Sequence, residues 1–463
     1  MQLQSNYKLQ TKKPPQSIIS YSREIQSSNI ESNRDIAHEK VAELLQMMIK
    51  SIDENDGNLQ LHSIRECTRL FQENGEGLQD FYGVISKSQI VPTLYHNAVS
   101  YQDKLFLREA TLNFLNVLVQ LNSNFSNLFS HSDFIRTISL QVLNPQIKDA
   151  PLAIELLSNI IRYGNPKNFE LVSELIPLDF ILTNATTTEE ESLRHSLLYL
   201  LHNFTQNKLS DEALFRIVSF THEIFESDSF TQRICINIYE SVINNSDALF
   251  PFPFESLNEI LFNDDVDVIT DVLSFISAYY ARKKSEYPFS FQRIIEMILD
   301  KNFELDLKRK AAFALRRMLE NDSDIVESLN GSKQLNELLD FFDCSEYWVK
   351  VHLGFGICAS VSHTTHINIA RYVENRVSIF DVSREILEFQ NFNLSMAVFK
   401  AFFHMFELGR NRKELYSKLV EKFMLVFPDD MIWNYINVEN EEVEQLGTQF
   451  VNEFFNVEEE SEE

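Results

Sequence analysis

The chain has 463 residues, with 41 Lys and Arg against 68 Asp and Glu, for a net charge of −27. That length exceeds one compact core, so the chain is either several globular domains or one extended repeat array. The 10 glycines and 11 prolines are too few for many hairpin turns or Gly-rich nucleotide loops, which argues against β-rich and doubly wound folds. The acidity argues against nucleic acid and anionic membrane surfaces as partners.

In chain order, residues 1–35 come first. They are polar, carry the Pro14-Pro15 pair and read as a flexible segment. The opening MQLQSNYKLQTKKPP lacks the apolar stretch of a signal peptide, and no uncharged apolar window is long enough to span a membrane. The expectation is therefore an intracellular chain.

Residues 36–455 carry an almost continuous helical pattern. One unit recurs: a short apolar helix, a polar turn, then a longer amphipathic helix. In the segment from Leu107 to Val119, residues Leu107, Ala110, Phe114, Val117 and Leu118 form a stripe at helical spacing, and Glu109, Leu112 and Asn116 share another face. Similar segments fall at Leu152–Ile161, Leu193–Phe204, Val268–Ile276, Lys310–Leu319, Val351–Val361 and Ala397–Leu408.

Equivalent positions repeat regularly. Asn116, Asn159 and Asn203 lie 43 and 44 residues apart, and Phe275, Arg317, Ala359 and His404 follow at 42, 42 and 45. The 72 residues between Asn203 and Phe275 hold a degraded repeat near Arg233–Ile243. A period of about 40–47 residues is that of armadillo and HEAT arrays. No single unit buries its own apolar face, so neighbours stack. The expected fold is all-α: an armadillo-type helical repeat solenoid, a right-handed superhelix of about nine to ten repeats. Residues 456–463, ending in EEESEE, read as a solvated acidic tail.

Cys67, Cys235, Cys344 and Cys358 are scattered without CxxC spacing and read as small buried hydrophobes. His363 and His366 have metal-ligand spacing but no third ligand at sensible spacing. The sequence holds no Gly-rich phosphate loop, GxSxG elbow or HExxH motif. No catalysis, cofactor or metal is expected.

Several local matches resemble one family. Ile432 and Ile436, Glu439-Asn440, Val443, Gly447, Phe450-Val451 and Phe454-Phe455 follow a last-repeat pattern. Phe406-Glu407-Leu408-Gly409, Tyr372-Val373-Glu374, the run DLKRKAAFAL from Asp306, Leu59-Gln60-Leu61 and Ile90-Val91-Pro92 match at consistent spacing upstream. Together they resemble the importin-alpha family across roughly residues 50–455.

The resemblance implies an adaptor for nuclear protein import, working between cytoplasm and nucleus. Such an adaptor binds basic, extended nuclear-localisation segments of cargo, and partners importin-beta and an export receptor at the C-terminal repeats. It also implies a peptide groove lined by Asn116, Asn159 and Asn203, with Leu112, Glu155 and Tyr199 standing where the family places Trp, and Glu109 adding negative charge. In the second groove the equivalent positions hold Phe313, Arg317 and Phe355. The sequence departs from the family in lacking the Trp ladder, in Tyr163 replacing an acidic residue, and in a 1–40 segment without an Arg cluster. The alternative is a divergent armadillo-repeat scaffold that binds another protein partner without signal recognition.

Overall fold

A computed structural model describes residues 20–99, 105–144, 148–282, 289–365, 367–436 and 440–455. Among them every regular element is helical. The chain divides into two units, residues 1–204 and 205–463.

In the first unit the principal helices are Gly57–Asn74, Leu105–Leu121, Ala150–Tyr163 and Glu191–Thr205. The first three pack side by side in chain order. Asn203 ties the fourth to Ala150–Tyr163 by donating to the Ser158 carbonyl and hydroxyl at 3.2 and 2.5 Å. The shorter helices Ile90–Val99, Ser132–Val142 and Pro166–Leu175 pack on one another as a second layer.

The second unit repeats the plan. Ser229–Asn245, Val266–Arg282, Leu305–Asn321, Tyr347–Ser362, Phe392–Arg410 and Glu441–Phe454 each pack on the next, while Phe291–Leu299, Gln334–Cys344, Ile379–Glu388 and Lys413–Val426 form the accompanying row. Each unit is thus a helical repeat of two layers, as the spacing implied at the coarse level.

Polar turns start these helices by capping. Asp56, Asn165, Asp228, Asn391 and Asn440 accept hydrogen bonds from first-turn backbone N–H groups, and Ser378 with Asp381 forms a capping box. The left-handed turn positions among the described residues are Asn55 and Gln390, at φ 53° and 51°, and no glycine is among them. Glycine serves close packing instead: a Cβ on Gly354 would lie 2.4 Å from Ile386 Cδ1.

Two expectations change. The Ser20–Asp53 helix reaches back into the segment read as flexible, because nothing between those residues breaks a helix. Cys344 is exposed at the end of its helix, whereas Cys67, Cys235 and Cys358 are buried. Residues 1–19, His366, Glu439 and the 456–463 tail lie outside the described residues. No described helix is long and apolar enough to cross a membrane.

The last repeats close on an aromatic cluster. The Phe450 ring is fully buried, with centroids 5.3–5.6 Å from Phe402, Phe406, Phe423 and Phe454. Phe450→Ala removes a ring from a cavity that several fixed neighbours cannot fill. It is expected to cost about 3–5 kcal/mol, read as a lowered midpoint in denaturant unfolding.

Candidate functional site

Long helices present two partly exposed rows where the groove residues were expected, one in each unit. In the first unit, Asn116 and Asn159 lie at the buried side of that row and face each other. Asn159 Nδ2 donates to Asn116 Oδ1 at 3.0 Å, and Asn116 Nδ2 donates to the Leu152 carbonyl at 3.2 Å. All three asparagines are buried, Asn159 and Asn203 completely. The expected peptide ladder is therefore corrected. Asn116 donates to the following helix and Asn159 and Asn203 to the preceding one, because burial without a partner is costly for an amide and the neighbouring helix is the nearest source of one. Leu112 is also corrected from groove to core, at 0% exposure.

What remains partly exposed is polar. Glu109 lines a cleft with Arg65, Arg69, Gln72 and Asn113 between the first two principal helices. Arg162 Nη1 donates to the Tyr199 hydroxyl at 2.7 Å and lies over the Tyr163 ring, so both aromatic positions hold a cation from the chain itself. Glu155 is half-buried, its carboxyl pushed up by desolvation with no cation offsetting it. Burial, then the charge on Arg162, lowers His202 to about 4.

The second row lies on Leu305–Asn321 and Tyr347–Ser362. Phe313, Arg317 and Phe355 are each half-buried. The Arg316 guanidinium stacks 3.6 Å over the Phe355 ring, and Arg317 lies 5.2 Å from the Phe313 centroid. Glu320 holds both, with Arg316 Nε at 2.7 Å and Arg317 Nη1 at 2.8 Å. The rings that were to receive a ligand's cations are occupied in cis. Arg162, Arg316, Glu320 and His352 were not singled out from the sequence. The signal for one of these links was present in Arg316, Arg317 and Glu320, spaced three and four residues apart on one helix.

His352 packs against Phe313 at 5.0 Å. Burial lowers it from 6.5 to about 4, with Arg316, Arg309 and Arg317 adding to the shift. Further along the unit, Arg233 bridges Asp267 and Asp271 at 3.0 and 2.8 Å. Among the described residues no group of three His, Cys, Asp or Glu is placed to hold a metal ion.

No protein-family model matches the chain, and no curated protein matches it. Among solved structures, it is similar to the crystal structure of an engineered protein from the Northeast Structural Genomics Consortium. The two share 12% identity at a TM-score of 0.62, over 90% of this chain and 98% of that one. At that identity the likeness concerns the helical fold alone.

Two outcomes are expected. Asn159→Ala leaves Asn116 Oδ1 buried without its donor, and should lower stability by about 1–3 kcal/mol in denaturant melts with no ligand present. For His352, the unfolded chain binds a proton between pH 6.5 and about 4 that the folded chain refuses. Stability therefore falls as pH drops through that window. A thermal-melt series should show a shallower acid slope for His352→Leu than for the native chain.

Proposed function

We propose that this chain is an armadillo-type repeat scaffold of about nine to ten repeats, wound as a right-handed superhelix, that binds a protein partner and carries out no catalysis. The four principal helices of one unit and the six of the other, each after Gly57–Asn74 following a shorter helix, support that repeat reading. The observation that carries the functional reading is the fate of Asn116, Asn159 and Asn203. Their side-chain NH2 groups each donate to a neighbouring helix and lie buried, which turns them away from an extended backbone in a groove. The aromatic slots at Phe313 and Phe355 hold Arg317 and Arg316, which repel a basic segment.

One observation favours the import-adaptor reading, with its basic cargo segments, importin-beta, export receptor and shuttling between cytoplasm and nucleus. Glu155 is a half-buried carboxylate without a cation, and a cargo lysine would supply one.

Fluorescence anisotropy of a labelled Lys/Arg-rich nuclear-localisation peptide separates the two. The scaffold reading expects no saturable binding at physiological salt. Saturable binding that weakens about tenfold on Glu155→Gln would establish the adaptor. Glu155 suits this test better than the asparagines, whose loss also destabilises the fold.

A further inference from the structure

Five consecutive principal helices of the second unit open on a large apolar side chain facing solvent. Phe230 is the second residue of its helix, and Val266, Leu305, Tyr347 and Phe392 are the first of theirs. Together with Trp348 they are each between 39% and 49% exposed. These helices pack in series, and their starts adjoin. Ser229 Oγ donates to Asp265 Oδ2 at 2.6 Å across the first two, and the Tyr347 ring lies 4.8 Å from Phe389, just ahead of the Phe392 helix. With starts linked at the first and last junctions and the helices packed in series between them, the six side chains are read as one edge, a ridge.

Helix capping explains the carboxylates here but not the ridge. Asp265 and Glu346 accept first-turn backbone N–H bonds, and that role needs no apolar neighbour. A hydrophobic staple would bury its apolar residue against the helix, whereas these are exposed. Six such residues in register form the kind of surface that marks a protein contact.

The charge beside the ridge points to the occupant. Asp264, Asp265, Asp267, Glu304, Asp306 and Glu346 are all exposed in these turns, and Lys301 is the one cation of the exposed class among the described residues there. The cations just inside are engaged: Lys308 sits over Phe341, Arg309 pairs with Asp306, and Lys310 donates to Ser274 Oγ.

We propose that this edge docks a basic amphipathic helix of a partner protein, its apolar stripe on the ridge and its Lys and Arg against the acidic rim. Packed helices sit about 8–10 Å apart. A helix rises about 1.5 Å per residue, so one heptad, about 10.5 Å, matches each step of the ridge. An extended strand covers that step in about three residues, which places successive contacts on opposite faces. The assignment rests on the reading of the chain as a protein-binding scaffold and names its surface.

The test is anisotropy of a labelled synthetic helix of about three heptads, with Leu on one face and Lys elsewhere. The 463-residue chain is compared with its Val266→Ser/Leu305→Ser/Trp348→Ser variant, whose retained fold is checked by circular dichroism. Expected is saturable binding that weakens about tenfold in the variant and with a sequence-scrambled peptide. Three results overturn the ridge: no saturable binding, equal affinity of the variant, or equal affinity for the scrambled peptide, which would leave only general acidity. Variant-sensitive sedimentation with neutral phosphatidylcholine vesicles, without peptide binding, would assign the edge to a lipid surface and overturn it as well. The scaffold reading fails separately, through Glu155-dependent capture of the nuclear-localisation peptide.

Discussion

The burial of principal helices against one another, side by side within each unit, is the constraint on which both units depend. In Leu105–Leu121, Leu107, Phe114 and Leu118 are buried together with Leu112, Leu115 and Val119. Such a helix has too much apolar surface for one contact, so it is stable only inside a series. The polar contacts follow the same order. Asn203 bonds Ser158 45 residues back, Arg371 bonds the Asn330 carbonyl 41 back, and the His404 ring pairs with the Thr364 carbonyl 40 back. The period is thus written in hydrogen bonds as well as in apolar stripes.

That constraint decides what polar side chains on these helices can do. Where a neighbouring helix covers Asn116, Asn159 and Asn203, their NH2 groups donate within the fold, since an unpaired buried donor is costly, although Asn159 Oδ1 is left without a partner. The same pressure produces the buried link around Arg108. Its guanidinium lies 3.1 Å from Asp149 and donates to Gln141 at 2.7 Å and to the Ala98 carbonyl at 3.0 Å. Desolvation raises the Asp149 carboxyl and Arg108 opposes that shift. Neither partner tolerates loss of the other, because a lone buried charge has no compensation.

The helical class and the repeat spacing were legible because they depend only on which residues are apolar and at what interval. Depth was not. Leu112 and Asn116 are four residues apart and share a face whether that face looks at solvent or at Leu152, so spacing alone could not tell a groove from an interface. The cis pairing of Arg316 with Phe355 was hidden for a related reason, as the two residues belong to different repeats and meet only after stacking. The N-terminal stretch is a different case. Its polar composition suggested flexibility, yet composition without Gly or Pro does not stop a helix, and Ser20–Asp53 continues through it.

Charge ties these observations to function. The excess of 27 negative charges is not spread evenly, because many cations are committed at home. Arg69 is held by Glu66 and Glu73, Arg233 by Asp267 and Asp271, and Arg316 and Arg317 by Glu320. Cations committed in this way are not available to the remaining carboxylates. A partner therefore meets carboxylates such as Asp264 and Glu304 directly, with apolar side chains between them. Long-range attraction would draw a cationic partner, and screening by salt would weaken that attraction without touching the apolar contacts. Recognition by such a surface depends on placing both kinds of contact at once, and the regular step between helix starts is what sets that placement.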